Sequence, residues 1–410
     1  MTRSLAEHRV AALALLSQMP TLDVLVSDAV GGMLAEDLVA DTPMPAIPMA
    51  ACDGYAIRAH DVAQASRSSP VTLAVSHDVD FDTRSRRRHV GGTAAAVVSG
   101  VPMPDGADAV VRAADTDRGL ARVAVARAVG PGENIRPAGT DAASGEVMVP
   151  RGTRIGPRQL GVAAALGRSR LLVRPVPRVV VIAVGSELVE PGTARPGGGV
   201  PESSAHMITV ALRAAGAHAY RVGSVPDDRF VLTETLEDQL VRADVIITTG
   251  ALSGAPNDTL PAVLRHQSDV EVVDLDLRPG LRHGLGTLDT GRDGRGVPVF
   301  ALPGAPLAAM AAFEAYVRPA LRAMSGHDAV ERRTVNASAA QGWETEEGLD
   351  TWVPLTLDTD ADGHYVASPC GSVDPWSLRA LAQANGYMLM GSGHTRVSAG
   401  DHVTCAVWDA

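Results

Sequence analysis

The chain has 410 residues, 36 basic and 47 acidic side chains, and a formal net charge of −11. That balance argues against nucleic acid as the main partner, and no apolar run reaches the roughly 18–20 residues of a transmembrane segment. Aromatic residues make up only 3%, so the cores must be built from Ala, Val and Leu.

Every basic residue is an arginine. A coding bias towards Arg and Ala accounts for this. Its chemical consequence is that no lysine can serve as a base, a Schiff-base amine or a point charge for phosphate. Cys52, Cys370 and Cys405 are widely spaced and show no metal-ligand pattern; their odd number fits a reducing cytoplasm. The length allows roughly three or four domains.

In chain order, the N-terminal run MTRSLAEHRVAALALLSQM reads as an amphipathic helix rather than a signal peptide. Leu22 to Leu38 reads as a second helical stretch, closed off by the proline cluster at 42–48. Asp53-Gly54 is a turn signal before a return to strand at Tyr55–Ile57, and taken alone it is a hairpin turn. From Val71 to Val129 short β-like runs alternate with turns, one of which carries the basic cluster Arg84 to Arg88. Arg158 to Gly167 reads as a short helix, Leu171 to Arg174 as extended chain, and Pro175 to Pro177 as a linker.

Strands and helices then alternate from Arg178 to Gly326. Strands are expected at Arg178–Val184, His218–Val222, Asp244–Thr249, Val270–Leu275 and Val297–Leu302. Helices are expected at Ser203–Ala215, Phe230–Val241, from Thr259, and from Pro306 to about Met324. This predicts a doubly wound α/β domain with a parallel sheet. Beyond it, strands at Arg333–Ala339, Thr351–Leu357, Tyr365–Ala367 and His402–Trp408, with one helix at Pro375–Ala384, predict a small β-barrel or sandwich.

Ligands of doubly wound sheets bind outside the carboxyl ends of the strands. Glu187, Asp227, Ser253, Asp258, Arg278 and Gly304 gather there. The central stretch is ADVIITTGALSGAPND, residues 243–258. Its buried strand runs into a glycine-bearing turn and then a helix start, where free N–H groups and the helix dipole favour phosphate. The same pattern also describes an ordinary strand-to-helix loop. Asp258 can cap the following helix or hold a divalent metal beside a phosphate.

Taken together, several runs resemble the MoeA-type molybdopterin molybdenumtransferases, the family that includes the C-terminal domain of gephyrin. They are PMAACDGYAIR (48–58), GGTAAAVVSGVPMPDGADAVV (91–111), GENIRPAGTDAASGEVMVPRGTRIGP (132–157), VPRVVVIAVGSELVEPG (176–192), the 243–258 stretch, LRPG (277–280), LPGAP (302–306) and LAQANG (381–386). They occur in family order and cover nearly the whole chain. The resemblance implies an L-shaped multidomain α/β subunit. Residues 1–46 and 140–175 would form a helical and extended domain, 47–139 an inserted β domain, 176–328 the α/β domain, and 329–410 the C-terminal β-barrel. It further implies a cytoplasmic homodimer that inserts molybdenum from molybdate into adenylylated molybdopterin, using Mg²⁺ and releasing AMP. Carried over by position, Asp53, Ser99, Glu187, Asp227 and Asp258 would be the catalytic set, with Asp227 and Asp258 on the metal. Gly185, Ser186, Gly250, Ser253, Gly254, Arg278, Pro303 and Gly304 would hold the pterin nucleotide.

The departures from the family pattern concentrate in the same region. Its glycine pair is Gly250-Ala251 here, and its following Val-Gly is Gly254-Ala255. Its Asp-Ser-Asn is Glu202-Ser203-Ser204, and its Lys-Pro-Gly-Lys-Pro is Arg278-Pro279-Gly280-Leu281-Arg282. A cleft lysine is replaced by Asp274, which would repel a phosphate or molybdate, and Pro-Gly-Asn-Pro has become Pro303-Gly304-Ala305-Pro306. Two readings follow. One is an insertase with a remodelled cleft. The other is a gephyrin-like dimeric scaffold that binds a partner peptide, as in bacterial gephyrin-like members linked to cell division. A nucleotide-binding or pyrophosphatase relative sharing only the α/β domain is a third reading, opposed by the matches at 48–157.

Overall fold

The computed structural model describes residues 2–79, 81, 87–193, 198–254, 258–290, 296–371 and 374–408. Arg84 to Arg86 of the basic cluster and Ala255 to Asn257 of the central turn lie outside these residues. The chain forms two compact units. One comprises Met1–Ala35, Gly152–Pro157 and Arg170–Ala410, the other Glu36–Arg151 and Arg158–Ser169.

The first unit is built on a seven-stranded sheet. Its order is Thr2–Arg3, Ser268–Leu275, Arg282–Asp289, Gly296–Leu302, Val245–Thr249, Arg178–Val184, His218–Val225. The last four run parallel. Apolar runs form these strands because both faces are covered. Val179, Val181 and Ala183 enter one core with Ile208 and Leu212 of helix Ser204–Ala214 and with Phe313 and Tyr316. Val180, Ile182 and Val184 enter the opposite core with Leu232, Leu236, Leu260 and Leu264. Each buried valine, leucine, isoleucine or phenylalanine among them contributes about 1.5–3 kcal/mol, so the central strands are held from both faces.

The sheet is not parallel throughout. Arg282–Asp289 runs antiparallel to both of its neighbours. Its sequence, RHGLGTLD, hides the strand because Gly284 and Gly286 stand where neighbours would pack. A Cβ on Gly284 would meet the Ala301 Cβ at 2.8 Å, and one on Gly286 would overlap the Asp269 carbonyl. The expected helix at Leu22–Leu38 is also absent. That segment forms strand Leu22–Leu25, a 3₁₀ turn Val26–Ala29, and the short strands Met33–Leu34 and Leu38–Val39. The β-branched Val24 and Val26 and the positive φ of 87° at Gly31 disfavour a helix there, and Arg170–Arg174 supplies a pairing partner.

The C-terminal part closes into a five-stranded barrel. Asp350–Thr359 pairs with Tyr365–Pro369, and that strand with Thr334–Ala339. Thr334–Ala339 pairs with His402–Val407, His402–Val407 with Gly386–Met390, and Gly386–Met390 back with Asp350–Thr359. Leu277–Arg278 adds to the outside, parallel to Asp350 and Thr351.

The second unit holds a five-stranded sheet in the order Arg122–Val125, Val71–Asp78, Thr93–Val97, Gly54–Ile57, Ala109–Arg112. Gly54–Ile57 pairs with the last two of its neighbours rather than with Met49–Ala50, which pairs with Ile135–Arg136. Asp53-Gly54 is therefore not a hairpin tip.

Candidate functional site

The carboxyl ends of the parallel strands open onto a cleft of about 590 Å³, lined among others by Glu187, Asp227, Gly250, Ser253, Asp258, Arg278, Pro303 and Gly304. Eight residues foreseen from the sequence thus meet in one place. Gly185 and Ser186 contact two of them, Glu187 and Asp227. A Cβ on Gly185 would stand 2.7 Å from Glu187 Oε1, so the glycine gives that carboxylate its room. Ser186 Oγ accepts from the Asp227 backbone N–H at 2.9 Å. Asp53 and Ser99 belong to the other unit, where the Ser99 N–H donates to Asp53 Oδ1 at 2.7 Å and the Ser99 hydroxyl to the Ala51 carbonyl at 3.3 Å.

The turn is shaped by close backbone approach. Gly250 has φ 94°, its N–H donates to the Leu302 carbonyl at 3.1 Å, and a Cβ on it would overlap the Val184 carbonyl. Gly304 packs so near that a Cβ there would lie 3.0 Å from the Gly250 Cα. Ala251 follows at φ 53°, one of three described non-glycine residues with positive φ. The second position of this turn is therefore a left-handed backbone that the chain holds with an alanine. Ala251→Gly is expected to stabilise the protein by about 1 kcal/mol, since L-residues cost roughly that much in this region. Urea unfolding of the two proteins measures it, and an unchanged or lower midpoint would contradict the account of strain.

Asp258 does not cap helix Leu260–Gln267. Its carboxylate reaches back, accepting from the Ser253 hydroxyl at 3.1 and 3.2 Å and from the Gly254 N–H at 2.6 Å. It closes the glycine turn. Asp227 is held differently: its Oδ1 is buried and has no hydrogen-bond partner of normal geometry. Burial raises its pKa, with Glu187 and then Asp258 adding repulsion, while hydrogen bonding from the Ser186 backbone N–H and the Thr259 side chain lowers it. Among the described residues, the trio of potential metal-ligand atoms within 4.8 Å of one another is Asp360, Asp362 and His364, an exposed group in a barrel loop. Glu187, Asp227 and Asp258 are spread more widely around the cleft.

The cations correct one expectation. Asp274 does not present a bare negative charge, because Arg282 Nε donates to its Oδ1 at 3.0 Å. Arg278 Nε donates to Glu346 at 3.3 Å. Arg282, Asp274 and Trp376 also line the cleft. The arginine pair flanking Pro279-Gly280 was visible in the sequence, whereas the Asp274–Arg282 contact depends on the unforeseen strand. The departures at Glu202, Ser204 and Ala305 fall at helix starts. Glu202, almost fully buried, accepts from the Ala205 N–H at 2.7 Å at the start of helix Ser204–Ala214. Ser204 donates to the Gly304 carbonyl at 2.7 Å. Ala305 leaves helix Pro306–Ala312 without a side-chain cap.

Comparison with known proteins agrees with this geometry. The model of the MoeA N-terminal region (domain I and II) matches residues 3–167, that of the probable molybdopterin binding domain 180–323, and that of the MoeA C-terminal region (domain IV) 336–408. Molybdopterin molybdenumtransferase 1 of Mycobacterium tuberculosis is 36% identical over 402 residues, spanning 93% of both chains. Molybdopterin molybdenumtransferase 2 of the same organism is 32% identical over 413 residues, spanning 99% of both. The crystal structure of a molybdopterin biosynthesis MoeA protein from Pyrococcus horikoshii superimposes with a TM-score of 0.80 at 24% identity over the whole of both chains. No described helix is long and apolar enough to cross a membrane. From end to end, this chain belongs to the MoeA family of molybdopterin molybdenumtransferases.

Proposed function

We propose that the protein inserts molybdenum from molybdate into adenylylated molybdopterin and releases AMP. The observation that carries this reading is the convergence, in one cleft, of a glycine turn, four carboxylates and two arginines. Molybdate and the pterin nucleotide are both anionic substrates, and the turn and the arginines suit them. The scaffold reading loses its main support, because the departures at Ala251 and Asp274 are accommodated rather than destructive.

The proposal includes Mg²⁺ held by Asp227 and Asp258. The fit rests on Asp227 Oδ1, a buried oxygen with no hydrogen-bond partner, on a carboxyl whose pKa is raised first by burial and then by Glu187 and Asp258. A hard cation with oxygen ligands would relieve that repulsion. Once bound, Mg²⁺ would polarise the phosphoanhydride between pterin and AMP. Ser253, Gly254 and Asp258 keep the turn in shape, and Arg278 faces the anion. Release of AMP from adenylylated molybdopterin, dependent on molybdate and Mg²⁺, tests the reading, and absence of AMP with all three present would reject it.

The same reading carries a four-part division at 1–46 with 140–175, 47–139, 176–328 and 329–410, and a homodimer. Sedimentation velocity should give twice the chain mass of 42.4 kDa, and a monomer at micromolar concentration would reject the dimer.

A further inference from the structure

We infer that Arg282 is a second anion-contacting cation of the cleft, admitted by Gly254 and aimed by Asp274. This assignment rests on the anion-binding reading given above.

Arg282 begins the strand Arg282–Asp289 and lines both the main cleft and a polar pocket of about 300 Å³ that adjoins it. The two cavities also share Asp258 and Asp274, so the guanidinium stands where they meet. Asp274 lies directly opposite Arg282 in the antiparallel register, and such facing pairs of opposite charge are a stabilising unit of sheets. The contact engages Nε alone, at 3.0 Å. Among the described residues, Nη1 and Nη2 have no hydrogen-bond partner, which leaves a planar edge of N–H donors suited to two oxygens of one oxyanion.

The glycine turn is built around this guanidinium. Gly254 has φ 82°, and a Cβ on it would fall on Arg282 Nη1. The Gly254 N–H is meanwhile fixed by Asp258 Oδ2 at 2.6 Å. Turn, carboxylate and arginine therefore constrain one another. The side chains of Arg282 and Asp274 are 36% and 44% exposed, enough to reach solvent-borne ligand while remaining held. With Arg278 on the same cleft, the two arginines would grip a di-oxyanion such as pyrophosphate, and Asp274 acts as a positioning residue.

Calorimetry with inorganic pyrophosphate tests the assignment, with thermal midpoints recorded for every variant. Arg282→Ala should lower affinity tenfold or more with little change in midpoint. Arg282→Lys should recover less than half of that loss on a logarithmic scale, because an ammonium cannot make the planar contact. Gly254→Val should reproduce the loss by displacing the guanidinium. Asp274→Ala should raise affinity in the Arg282→Ala background, where the carboxylate is bare, and should not raise it in the wild-type background. Equal increases in both backgrounds would show that Asp274 acts as an independent repulsive charge and would overturn its positioning role. If Arg278→Ala abolishes binding while Arg282→Ala leaves it intact, the anion cleft stands and the role of Arg282 falls. If the wild type does not bind pyrophosphate, both fall.

Discussion

An Asp258→Ala variant is expected to release AMP from adenylylated molybdopterin at least ~100-fold more slowly than the wild type, the scale of loss when reacting groups shift by about 1 Å. The carboxylate does two things at once. It accepts from the Ser253 hydroxyl and the Gly254 N–H, and it adds negative charge beside Asp227. Removing it frees the turn and subtracts one proposed metal ligand. Asp258→Asn should be intermediate, since an amide oxygen can still accept from the Gly254 N–H but carries no charge. Single-turnover AMP formation separates the two variants. If Asp258→Ala retains activity within a few-fold of wild type, neither the turn nor the metal role can be right.

Acidification should strongly destabilise the first unit. His8 on helix Leu5–Leu15 is fully buried, both its ring nitrogens lack hydrogen-bond partners, and its ring meets Tyr316 edge-on at 4.6 Å. His283 is also buried; its Nδ1 accepts from the Tyr316 hydroxyl at 3.0 Å and its Nε2 donates to the Gly280 carbonyl at 3.3 Å. Burial lowers the pKa of His8 to about 3, with His283 and Arg3 adding to it, and burial lowers that of His283 to about 4. In the unfolded chain both titrate near 6.5. Between these values the unfolded state binds more protons than the native one, so stability falls as pH drops. The full stability is present above about pH 6.5 and is lost progressively on the way to pH 4. At about 1.4 kcal/mol per pKa unit, the two residues together should remove roughly 6 kcal/mol by pH 4, comparable with the whole stability of many domains. Urea midpoints from pH 7 to pH 4 should show this slope, and His8→Leu should flatten it by about one proton. An unchanged slope in that variant would remove His8 from the account.

The parts of the fold that could be read in advance were those where one physical demand acts along the chain. Arg178–Val184, Val245–Thr249 and Gly296–Leu302 are apolar because they are covered on both faces, and a short β-branched run announces that. Arg282–Asp289 could not be read, because its fit depends on glycines clearing Ala301 and Asp269, residues of other strands. Leu22 to Leu38 was misread because apolar spacing alone does not reveal that Arg170–Arg174 waits to pair with it. In the site, Asp227, Ser253, Asp258 and Gly304 were legible from their places at strand ends. Asp274 was legible as a charge but not as a partner, since its neutralisation by Arg282 exists only across the unseen hairpin. Ala251 shows the converse: the departure from a glycine pair was legible in the sequence, and the structure meets the positive φ there with a residue poorly suited to it.

The two residues Leu277–Arg278 are hydrogen-bonded to the barrel strand Asp350–Thr359 and not to the seven-stranded sheet. Arg278 also contacts Glu346, and the Leu307 N–H donates to the Pro375 carbonyl at 3.0 Å, while Pro375 and Trp376 line the cleft. The barrel is thus a wall of the cleft, and one of its two arginines is hung from it. The α/β portion cut free at residue 326 would keep the glycine turn and the carboxylates but would lose the support that sets Arg278, so its chemistry cannot be inherited or transplanted without the barrel.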